Sequence, residues 1–169
     1  AIALGADQVW PYLTKACNLW SWKGPEGLAE ARAALEFVPK DHEWAPLSWF
    51  WQEQAEGRFA EVLKRLEAKP EGWFRLKIQV GPNTLFSALI RQALGETARA
   101  REAFETALKA LEAEVRARPE NALYHSALGL ALAGLGRREE AVREGRRGVE
   151  LLPLSKDAIY GAPHVIDLA

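Results

Sequence analysis

Methionine is absent from this chain and cysteine occurs once, at Cys17. One thiol closes no internal disulfide and builds no thiolate cage for zinc, and it fits a reducing, cytoplasmic setting. Without methionine the first residue is not a translation start, so the expectation is a piece of a longer protein. Neither sign of charge dominates: 22 Lys and Arg are interleaved with 23 Asp and Glu, for a net charge of −1. That balance argues against nucleic-acid and membrane partners, which a basic face would announce. Long hydrophobic runs are missing as well. The longest uncharged stretch, 121–136, holds 16 residues with three glycines, short of the roughly 20 apolar residues a bilayer span requires. Glycines are dispersed, and neither G-x-x-x-x-G-K, G-x-G-x-x-G nor G-x-S-x-G occurs, so phosphate loops and a strained nucleophile turn are excluded. His42, His125 and His164 stand far apart with no second His or Cys at ligand spacing; no metal, no cofactor and no catalytic set is expected.

What is present is a globular composition, 49% hydrophobic and 27% charged over 169 residues, enough for one domain of about 100–200 residues. It is organised as a repeat. Four segments share the order helix, glycine turn, helix, proline exit, with turn glycines at Gly27, Gly57, Gly95 and Gly136, spaced by 30, 38 and 41 residues. Approximate units are 1–40, 41–72, 73–118, 119–153 and the start of a further unit at 154–169, where Pro163 opens another first helix. The clearest unit pairs a helix over 122–133 with one over 137–151. In the second of these Ala141, Val142, Gly145, Gly148, Val149 and Leu152 recur at helical spacing while Glu and Arg fill the other face, so a small-residue seam lets the two helices approach. A helix from about Thr97 to Arg118 keeps Ala100, Phe104, Ala107, Leu108, Leu111 and Val115 on one stripe.

Leu128-Gly129, Leu132, Gly136, Ala141 and Pro153 fall at the offsets of the tetratricopeptide pattern, W-x2-L-G-x2-Y, A-x3-F, P, and Ala100 to Phe104 fits A-x3-F as written. His125, Leu132 and Gly145 stand where the pattern has Trp, Tyr and Phe. The chain thus resembles the tetratricopeptide repeat family, and over residues 58–169 it is similar to the repeat regions of large bacterial signalling proteins, which follow a serine/threonine kinase, adenylate cyclase or winged-helix domain. The resemblance implies an all-α, right-handed superhelix, a solenoid of antiparallel helix pairs, whose first helices line a concave face. Family members that clamp a terminal carboxylate use Lys, Arg and Asn there, which are not found here.

All seven tryptophans lie in the first 73 residues. With the glycine turns as a ruler, the concave positions are Trp44, Leu47, Ser48 and Trp51, then Leu85, Phe86, Leu89 and Gln92, then Leu123, Ser126 and Leu130. This predicts an apolar groove for a partner peptide, helix or domain, since aromatic anchors dominate interface energies. Other domains of the parent chain are a second possible occupant, and self-association a third. His125 is expected as a hydrogen-bonded core residue, His42 at a helix entrance, Cys17 as a small core residue, and the arginines at 137, 138, 143, 146 and 147 as a salt-bridged outer face. The expectation is a non-catalytic interaction scaffold, with a regulatory segment of a signalling enzyme as the alternative.

Overall fold

The computed structural model describes residues 6–75, 79–157, 161 and 164. They are mostly helical, with one two-stranded sheet, and fall into two compact units, 1–64 and 65–169. The opening of a further helix expected at Pro163 lies outside the described residues.

In the first unit α1 (Ala6–Lys23) runs into a 3-10 turn (Gly24–Gly27) and α2 (Leu28–Leu35), followed by α3 (Ala45–Ala55) and α4 (Phe59–Glu67), which crosses into the second unit. Val9, Leu13 and Ala16 repeat at helical spacing along α1 and meet Ala31, Leu35 and Val38 from the α2 side, the burial expected of one apolar stripe on each helix. The first turn differs from its sequence reading. Gly24, the first residue of the 3-10 turn, carries the positive φ, 55°, a conformation that costs glycine least. Gly27 serves packing instead: a Cβ there would lie 2.8 Å from the Leu19 carbonyl oxygen.

One buried polar cluster ties α1, α2 and α3 together. Gln52 is fully buried, yet its Oε1 accepts from Trp20 Nε1 at 2.6 Å while its Nε2 donates to the Leu28 carbonyl at 2.8 Å and to Glu56 at 2.6 Å. Every polar atom of the amide is engaged, which removes the penalty of burying it. Arg32 then grips Glu56 through Nε at 2.8 Å and through Nη2, with its guanidinium 5.2 Å from the Trp49 ring.

The second unit opens with strands β1 (Trp73–Arg75) and β2 (Val80–Pro82), antiparallel with Phe74 opposite Gly81. Then come α5 (Asn83–Ala93), α6 (Thr97–Ala117), α7 (Ala122–Gly134) and α8 (Arg138–Leu151), each packed on the next, with α5 also touching α7. Flanked by both α6 and α8, α7 buries residues on every side, from Ala122 to Leu132, and this is why its sequence is apolar all round. Asn121 caps it by accepting from Leu123 N–H at 3.0 Å. Where α7 meets α8 the seam is made of small residues. A Cβ on Gly129 would lie 3.2 Å from the Ala141 carbonyl, and one on Gly148 would lie 2.5 Å from Ser126 Oγ.

The turns at Gly57, Gly95 and Gly136 are one structure three times over. Their φ angles are 73°, 78° and 76°. Each glycine N–H donates three residues back, to Gln54, Gln92 or Ala133, and the next N–H donates five back, to Glu53, Arg91 or Leu132. This Schellman arrangement needs a left-handed residue after the helix, which glycine supplies at least cost.

Candidate functional site

The proposed groove positions separate into two groups. Leu47, Leu85, Phe86 and Ser126 are buried, with Ser48 beside them, and this corrects their placement on an open wall. Each burial has a local reason. α3 buries residues all round, among them Ala45, Phe50, Gln52 and Glu53, so a ruler that assumes a solvated face on this helix lands in the core. Leu85 and Phe86 lie under the β-hairpin, with Gly81 so close that a Cβ on it would be 3.0 Å from Leu85 and 3.3 Å from Phe86, and with Phe74 edge-on to Phe86 at 4.7 Å. Ser126 lies in the α7–α8 seam because Gly148 has no side chain to hold α8 away.

Trp44, Trp51, Leu89, Leu123 and Leu130 are half-buried and Gln92 is exposed. Leu89, Leu123 and Leu130 pack against the core of the second unit. Trp51 meets Trp20 edge-on at 6.1 Å, and Trp44 lies 5.6 Å from Trp10.

Trp10 leads to the feature that the groove reading missed. On the outer side of α1 a cavity of about 780 Å³ is open to solvent, lined by Trp10, Pro11, Thr14, Asn18, Leu19 and Trp22 with Lys15 and Lys23. Trp22 is 87% exposed and Trp10 49%. Cys17 is exposed too, on the same helix, which corrects its assignment to the core. The signal was present in the sequence as tryptophans at positions 10 and 22, four residues to either side of Thr14 and Asn18; the ruler began at the second unit and passed over it.

All three histidines make contacts within the fold. His125 is buried, with Nδ1 at 2.8 Å from Glu144 Oε2 and Nε2 at 2.9 Å from the Pro119 carbonyl, so it ties α7 to α8 and to the preceding turn. His42 Nδ1 accepts the Trp44 N–H at 3.3 Å at the start of α3. His164 pairs with Ser126, Nδ1 to Oγ at 2.7 Å. The histidine is wholly buried and the serine nearly so, and burial pushes the imidazole pKa down. The contact ties α7 to a segment 38 residues further along the chain.

A last cluster joins β1 to α6 and α7. Arg75 and Arg118 both donate to Tyr124 Oη, at 2.5 and 2.6 Å, and to opposite oxygens of Glu114, at 2.9 and 2.8 Å. The Arg75 hydrogen bond first, then the charges of both arginines, hold the Glu114 carboxyl below its ordinary range. On α8 and at its N-cap the arginines 143, 147 and 137 pair with Glu144, Glu150 and Glu140 along the helix surface. Among the described residues no group of three His, Cys, Asp or Glu is placed to hold a metal ion, and no helix is long and apolar enough to cross a membrane.

Fold and surfaces together define a mostly helical protein that carries an open apolar site walled by tryptophans on its first helix. The chain matches no family model, no curated protein and no solved structure.

Proposed function

We propose that this chain is a non-catalytic protein-interaction scaffold of the tetratricopeptide type, a right-handed row of helical hairpins that holds a segment of a partner protein. The observation that carries this reading is the threefold recurrence of one glycine turn, at Gly57, Gly95 and Gly136, with matching φ and matching hydrogen bonds. A turn repeated in this way returns each helix alongside the last by the same geometry, and hairpins so built bury their seams against sequence neighbours. Ala100, Phe104 and the Gly129–Gly145 contact occupy the pattern's packing positions and are buried. A cytoplasmic setting goes with this reading.

The test is a selection. The immobilised full chain is panned against a displayed library of random 16-residue peptides, and the enriched peptides are mapped by amide hydrogen exchange. The scaffold reading expects reproducible enrichment, with protection confined to solvent-open helix faces. Failure to enrich any peptide would overturn it.

A further inference from the structure

We propose that the α1 trough docks an amphipathic helix of net negative charge, an assignment that rests on the scaffold reading and names the partner's chemistry. Trp10 and Trp22 wall the two ends of the trough, twelve residues or about 18 Å apart along the helix axis, and the short side chains of Thr14 and Asn18 lie between them. Exposed tryptophan on this scale is uncommon on a surface with no partner, and a concave apolar site bounded by aromatic rings is the usual seat of binding energy. Trp10 is held in place by its contact with Trp44 at 5.6 Å, so one wall is ordered before anything binds.

Charge chooses among occupants. Among the described residues lining the trough the charged ones are Lys15 and Lys23, and both reach a single carboxylate, Glu30, at 2.9 and 3.4 Å. The rim therefore keeps one unit of positive charge. A second copy laid antiparallel along α1 would set lysines against lysines, which is repulsive. A lipid surface gains little from one unit of net positive charge, since each basic residue near an anionic membrane contributes about 1 kcal/mol. An amphipathic helix gains more, because its i, i+3, i+4 and i+7 side chains pack between two rings set about three turns apart. The lysines stand eight residues apart, so the best partner places carboxylates seven or eight residues apart on the flank beside its apolar stripe.

The experiment repeats the library selection on three proteins: the native chain, Trp22→Ala, and Lys15→Gln with Lys23→Gln. All three positions are exposed, so the core is untouched. Peptides enriched on the native chain are expected to carry apolar residues at helical spacing with more Asp and Glu than Lys and Arg. They should bind Trp22→Ala at least tenfold more weakly, and the double glutamine variant should lose the preference for acidic sequences. Peptides that bind native and Trp22→Ala chains equally would overturn the trough assignment while leaving the scaffold reading standing, and no enrichment at all would remove both. Enrichment of basic peptides refutes the charge argument. So do Trp22-dependent dimers in sedimentation velocity, or Trp22-dependent sedimentation with phosphatidylcholine and phosphatidylglycerol vesicles.

Discussion

The ring of Phe104 on α6 occupies the space that a side chain on Gly134 of α7 would need: a Cβ built there falls inside the ring's van der Waals envelope. Phe104 is 1% exposed and has nowhere to retreat. Gly134→Ala is therefore expected to cost about 1–3 kcal/mol through overpacking, and Phe104→Ala about 3–5 kcal/mol through the cavity it leaves. Urea unfolding of both singles and of Gly134→Ala/Phe104→Ala should show the double variant more stable than the two costs added together. Strict additivity would mean that the two residues do not share this space.

At Gly57, Gly95 and Gly136 a Cβ would meet nothing within 4 Å, so backbone strain is the whole cost of adding one. Alanine at each is expected to lose about 1–2 kcal/mol, by similar amounts at the three sites, and asparagine less. Thermal unfolding in which alanine is neutral at any one of them would break the equivalence of the turns.

Glu56 ties the first unit to acid sensitivity. Its carboxyl lies below the ordinary range chiefly because of the Arg32 hydrogen bonds. A depressed carboxylate contributes stability that is complete above its unfolded pKa and is lost as pH falls through the folded one. Stability should therefore decline below about pH 4–5, and Glu56→Gln should flatten that decline while lowering stability at neutral pH. Gln52→Leu would orphan the Trp20 N–H, at about 1–3 kcal/mol.

His164 gives a second, separate pH window. Burial holds the imidazole pKa below its ordinary value of 6.5, so the folded state disfavours the charged form. Its contribution is complete above that value and is lost as pH falls below it toward the folded pKa. With the intrinsic slowing of exchange divided out, amide protection in α7 around Ser126 should fall as pH drops below about 6.5, and His164→Leu should remove that loss. An unchanged pH response in the variant would contradict the assignment.

Legibility in the sequence followed the range of the interactions involved. The ends of α6, α7 and α8 fall within a residue or so of the sequence reading, because proline exits, the Asn121 cap and the glycine turns are local devices. The small-residue seam at Gly145 and Gly148 was legible for the same reason, and both are buried. The hairpin of β1 and β2 was missed. Two strands of three residues, one ending in Gly81-Pro82, are too short to show a period of two. Missing it put Phe86 on an open wall when Phe74 covers it.

By itself, then, the order of residues determined where α6, α7 and α8 begin and end, that the chain bends left-handed at Gly57, Gly95 and Gly136, and which stripes are apolar, since each of these depends on neighbours a few positions away. Tertiary structure alone decided which apolar residues remain in contact with water. That choice turns on distant segments, such as the hairpin over Leu85 and Phe86, α8 over Ser126, and Trp44 beside Trp10. Burial is a property of what comes to lie alongside, and the chain reveals that only when it has closed upon itself.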